Sequence, residues 1–132
     1  MKYIGIVGSR RRDSEHDFLC CVERFLEIYE EGDYIVSGGC PQGGDAFAEI
    51  IAQAYGVPIS IYYPKWEMYG KRAGFIRNSD IAENSDVLIA MVTKDRELCR
   101  GTMDTVKKVQ DKGKPVFFDE DEEEFDIENI GS

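Results

Sequence analysis

Asp86-Val87-Leu88-Ile89-Ala90-Met91-Val92 is the stretch on which the reading of the fold turns. Six apolar residues follow one acid with no polar residue among them. The run is too short to cross a bilayer and lacks the alternation of a strand wetted on one face. It reads as a central strand covered on both sides. Tyr3 to Val7 has the same character, and Tyr34-Ile35-Val36-Ser37, Val57 to Tyr62 and Lys114 to Phe118 are further runs of strand length.

Helical periods fill the gaps between these runs. Ser14-Glu15-His16-Asp17 is a helix start with a capping hydroxyl and an acid three residues on. Phe18, Val22, Phe25, Leu26 and Tyr29 then recur at helical spacing, and Gly32-Asp33 closes the segment. Phe47, Ile50, Ile51 and Ala54 share one face of a second helix that ends at Gly56. A third helix is expected over about residues 72–84. A fourth begins near Gly101-Thr102, with Met103, Val106 and Val109 inward, and ends at Gly113. Residues 63–70 and 93–100 read as loops.

The order is strand-helix repeated four times with a closing strand. Parallel strands joined by right-handed helical crossovers satisfy it. The expectation is an α/β fold, a Rossmann-like three-layer domain with a mainly parallel five-stranded sheet in the order 3-2-1-4-5. The folded domain is expected over residues 1–118, with an acidic C-terminal tail over 119–132.

Composition narrows the function. The net charge is −10, and eight of the 26 acids lie in residues 119–132 (Asp119, Glu120, Asp121, Glu122, Glu123, Glu124, Asp126, Glu128). The preceding body carries 18 acids against 16 bases. A near-neutral body disfavours general nucleic-acid binding, which needs a basic surface; the run Arg10-Arg11-Arg12 is the local exception. Four cysteines without a Cys-x-x-Cys pair, beside a single histidine, His16, do not make a zinc site. Free thiols and no secretory signal suggest the cytoplasm, and no membrane association is expected.

In an open parallel sheet ligands bind beyond the carboxyl ends of the strands, at the point where strand order reverses. The loops expected there suit phosphate. Gly8 permits a sharp turn, Ser9 offers a hydroxyl and Arg10 a planar cation. Gly38-Gly39 and Gly43-Gly44 lead into one helix, and Arg100-Gly101-Thr102 opens another, each with free N–H groups at its start. The sequence has neither a Gly-x-Gly-x-x-Gly after strand 1 nor a Walker lysine motif. Asp45 is either an acid favoured by the helix dipole or a contact to a ribose hydroxyl or loop amide. Arg77 and Asn78 lie on the helix before the central strand. Trp66 and Tyr69 either stack on a base or pack as core or lid. No metal site is read, although Asp45 and Asp104 are acids that could hold Mg²⁺ through a phosphate.

Taken together, Gly8-Ser9-Arg10, Gly38-Gly39-Cys40-Pro41-Gln42-Gly43-Gly44-Asp45, Trp66, Ala73-Gly74-Phe75-Ile76-Arg77-Asn78, Ser85-Asp86 and Arg100-Gly101-Thr102 resemble the SLOG superfamily. Within it they are closest in pattern to the YspA/YpsA-related branch. The resemblance covers roughly residues 3–118. It implies a Rossmann-like sheet, a site for a nucleotide or nucleotide derivative as sensor or carrier, and a homodimer. The LOG-type phosphoribohydrolases of that superfamily cleave the N-glycosidic bond of nucleoside monophosphates, which is the alternative. Arg77 resembles their arginine, but Pro-Gly-Gly is missing after the central strand and Thr105 stands where they carry Glu. Asp104, one residue earlier, or Asp45 is then the carboxylate that such cleavage needs. The DprA-type members bind single-stranded DNA, a third reading that rests on Arg10 to Arg12 with Lys71-Arg72.

Overall fold

The computed structural model describes residues 1–121; residues 122–132, the greater part of the acidic stretch, lie outside the described residues. Five strands form one parallel sheet in the order β3-β2-β1-β4-β5. They are β1 (Tyr3–Gly8), β2 (Tyr34–Ser37), β3 (Ile59–Ile61), β4 (Val87–Val92) and β5 (Val116–Glu120). Between them run α1 (Glu15–Ile28), α2 (Gly44–Tyr55), the single turn α3 (Trp66–Tyr69), α4 (Ala73–Asn84) and α5 (Arg100–Asp111). The fold class and the strand order are those read from the sequence.

The apolar runs explain the layers. All six residues of β4 are buried. Ile89 and Met91 join Ile4, Ile6 and Ile35 in a core under α1 and α2. Leu88, Ala90 and Val92 alternate to the opposite face, where they meet Ile81, Val106 and Val109 of α4 and α5. Side chains of a strand alternate between faces, so a strand with helices on both sides has no position left for a polar residue.

Local chemistry sets the ends. Ser14 caps α1 by accepting the Asp17 amide at 3.0 Å, and the Asp17 carboxylate accepts the Ser14 amide at 3.3 Å, a capping box. Asp33 clamps the start of β1, accepting the Lys2 amide at 2.9 Å and the Lys2 ammonium at 2.6 Å.

Several elements differ from the sequence reading. β3 begins two residues late: the Val57 amide bonds to Ala52 at the end of α2, and Pro58 has no N–H for the ladder. The loop over residues 63–70 contains the turn α3, and that over 93–100 contains a 3-10 turn, Arg96–Cys99. β5 is displaced toward the C-terminus, so Asp119 and Glu120 pair with Met91 and Val92 rather than starting the tail. The folded body therefore extends past residue 118. Ladder bonds and a buried arginine, Arg12, hold two acids that the charge pattern assigned to solvent.

Candidate functional site

A cleft of about 580 Å³ opens at the carboxyl edge of the sheet, where β1 and β4 part. Its walls come from the loop after β1, the entrance to α2, one face of α4 and the start of α5.

The β1 loop is folded around Ser9. The Ser9 amide bonds to the Met91 carbonyl at 3.0 Å, its hydroxyl accepts the Arg11 amide at 3.1 Å and its carbonyl accepts the Arg12 amide at 3.0 Å. Three consecutive arginines thereby meet three fates. Arg10 and Arg11 are exposed and line the cleft, and no ion pair or hydrogen bond among the described residues engages their guanidinium groups. Arg12 turns inward with its side chain 3% exposed. It holds Asp17 of α1 at 2.9 Å, Asp119 of β5 at 2.8 Å and the carbonyls of Val92 and Asp119. Burial alone would lower its pKa, but the two carboxylates outweigh that and keep it raised, so its charge is permanent. The basic run is thus two cations facing the cleft and one structural rivet. Adjacency in the chain could not distinguish them, because each residue's direction depends on the turn.

The turn after β2 serves a different purpose from the one its glycines suggested. Gly38, Gly39, Gly43 and Gly44 do not line the cleft. Three of the turn's amides are already taken: Gly39 donates to the Ser37 hydroxyl at 3.3 Å, Cys40 to Asp45 at 3.1 Å and Gly43 to Asp13 at 2.8 Å. The glycines allow close packing instead. A methyl group on Gly44 would overlap the Gly8 nitrogen and the Val7 carbonyl. One on Gly43, whose φ is +72°, would overlap the Ser9 carbonyl. This packing presses the entrance of α2 against the β1 loop and delivers Asp45 to the cleft.

Asp45 is the one carboxylate among the described lining residues, and it is 8% exposed. Burial pushes its pKa up, against amide bonds from Cys40 and Gly38 and the charge of Arg77. Arg77, on α4, lies 3.9 Å from it. The Arg77 guanidinium donates to the Gly38 carbonyl at 2.5 Å and to the Asn78 amide oxygen at 3.0 Å. Asn78 in turn donates to the Gly101 carbonyl at 3.3 Å and to Asp104 at 3.1 Å, tying α4 to the first turn of α5.

That first turn supplies the remaining wall. Arg100, Gly101 and Thr102 line the cleft, and no side chain caps the helix. A methyl group on Gly101 would meet nothing within 4 Å, so the backbone lies open there. Arg100 is 82% exposed and only loosely paired, 3.8 Å from Glu97. Asp104 does not reach the cleft: Asn78 and Lys108, the latter at 2.8 Å, occupy its carboxylate on the side of α5 that faces α4. Asp45 and Asp104 therefore do not face a common ligand.

The structure thus brings together Gly8, Ser9, Arg10, Asp45, Arg77, Asn78, Arg100, Gly101 and Thr102 and leaves the β2-turn glycines and Asp104 outside. Arg11, Cys40, Leu98 and Cys99 join the lining without having been singled out by sequence. For Arg11 the signal was present in the basic run and for Cys40 in the glycine-rich motif that contains it; for Leu98 and Cys99 none was. Trp66 and Tyr69 do not line the cleft and stay exposed. Among the described residues no group of three or more His, Cys, Asp or Glu is arranged to hold a metal ion. No family model, curated protein or solved structure matches the chain. Among the described residues no helix is long and apolar enough to cross a membrane.

Proposed function

We propose that the chain binds a nucleotide or a nucleotide-derived phosphate ligand in this cleft, as a sensor or carrier. The observation that carries the reading is the pair Arg10 and Arg11, two cations without partners among the described residues, facing one cleft together with the uncapped start of α5. Unpaired guanidinium forks and free helix N–H groups are the donors that phosphate oxygens accept. Val7, Ile81 and Leu98 add apolar wall suited to a base or sugar, and the volume is that of a small-molecule site. The SLOG resemblance points the same way, and the four free cysteines fit a reducing cytoplasm.

Thermal shift against nucleotides, NAD, ADP-ribose and cyclic nucleotides tests the reading. Saturable stabilisation is expected from at least one ligand class. Arg10→Ala with Arg11→Ala should weaken it by more than about a hundredfold, at roughly 1.5–3 kcal/mol for each charge-assisted hydrogen bond removed. Silence across the panel in the intact protein refutes the proposal.

A second reading, cleavage of an N-glycosidic bond, is favoured by one observation: Arg77 and the buried acid Asp45 share a cleft wall. In that case Asp45, not Asp104, is the acid. Release of free base from nucleoside monophosphates, read by chromatography, should then disappear in Asp45→Asn and persist in Asp104→Asn.

A further inference from the structure

Four arginines line the cleft, and Asp45 is the only acid that joins them among the described lining residues. A carboxylate in a phosphate cleft repels phosphate, so the part of the ligand that rests on it is not anionic and donates hydrogen bonds. Asp45 also has room for such a donor. An ionised carboxylate offers about four acceptor positions. The Cys40 and Gly38 amides take two, and Arg77 at 3.9 Å is beyond hydrogen-bonding distance. The side chain is 11% exposed and lies in the cleft wall. The packing of Gly43 and Gly44 on Gly8, Ser9 and Arg10 fixes where this acid stands, directly beside the loop that carries the cations. In a nucleotide the donor-bearing group next to the phosphate is the sugar.

We infer that Asp45 receives the ribose hydroxyls of the bound ligand, so that the cleft selects ribonucleotides over 2′-deoxyribonucleotides. The inference rests on the nucleotide reading of the cleft and adds to it the sugar and the residue that reads it. The β2 turn then has a double role: its glycines bring the acid to the cation loop, and its amides hold the carboxylate without exhausting it.

Isothermal titration of the intact chain with ribonucleoside 5′-diphosphates of the common bases, their 2′-deoxy counterparts and inorganic pyrophosphate decides the matter. At least one ribonucleotide should bind about tenfold or more tightly than its deoxy counterpart, the value of a hydrogen bond to a charged group. Asp45→Asn, which keeps the side chain's shape, should narrow that preference several-fold. Equal affinity within every pair, or pyrophosphate binding without nucleotide binding, overturns the sugar assignment and leaves the anion cleft standing. Silence with all the ligands overturns both. Should Asp45→Asn fail to fold, the preference of the unaltered chain still decides.

Discussion

At the scale of single residues, the instructive positions are those where one side chain, or the lack of one, joins two elements. Gly44 is the sharpest case. Its missing Cβ lets α2 lie against β1, and a methyl group there has backbone, not a flexible side chain, to displace. Gly44→Ala is expected to cost about 1–3 kcal/mol of stability, the usual penalty for overpacking, read as a lower urea midpoint at unchanged slope. Gly74, inside α4, is the contrast: an added methyl would meet only the Trp66 ring, at 3.7 Å, which is ordinary contact. Gly74→Ala should therefore be neutral or gain about 0.5–1 kcal/mol in the same titration. Both residues are glycines in helical segments, and the sequence does not say which of them packs against backbone. The three arginines teach the same lesson, since Arg10, Arg11 and Arg12 differ only in the direction the β1 turn gives them.

Among the elements, α1 shows how a local motif becomes part of the tertiary structure. Ser14 and Asp17 were legible as a capping box because both partners lie within four residues. That Asp17 also holds the buried Arg12 was not legible, because its other partner at the guanidinium, Asp119, lies about a hundred residues away. Burial pushes the Asp17 pKa up, but the Ser14 and Arg12 bonds outweigh it and hold the carboxyl below its ordinary 3.8. A depressed acid stabilises the fold above its unfolded-state pKa, and that stability is lost as the pH falls through the lower, folded-state value. Asp17→Asn should accordingly lower stability by about 1.5–3 kcal/mol at pH 7. The gap between variant and parent should close as the pH drops below 3.8. Urea unfolding at both pH values checks this; an undiminished gap in acid would show that shape, not charge, carries the effect. The strands divide along the same line. β2 and β4 match their apolar runs residue for residue, whereas β5 moves toward the C-terminus because its partner in the ladder, not its own hydropathy, sets where it ends.

For the molecule as a whole, the question is where the folded body stops. β5 ends at Glu120, and Asp119 anchors Arg12, which in turn closes the loop that presents Arg10 and Arg11. A chain ended after Phe118 should lose about 3–5 kcal/mol, since it strands a buried guanidinium with one acid instead of two. A chain ended after Asp121 keeps Asp119, Glu120 and the whole of β5, and with them the Arg12 contacts, and should melt within about 2 °C of the parent. Equal melting of the two truncations would remove Asp119 from the structural account.

Hydrophobic runs and their spacing by themselves determined the class and the layers, because burying an unbroken apolar strand requires helices on both faces; the strand order was one choice among the few that right-handed crossovers leave, and the structure has it. They also placed the site at the carboxyl edge and nominated most of its residues. Only the tertiary structure decided which glycines open toward the cleft and which pack backbone against backbone, which arginine is buried, and that Asp45 rather than Asp104 faces the cleft. Those choices depend on contacts between segments distant in the chain, and no local pattern of residues encodes the direction in which a side chain will find its partner.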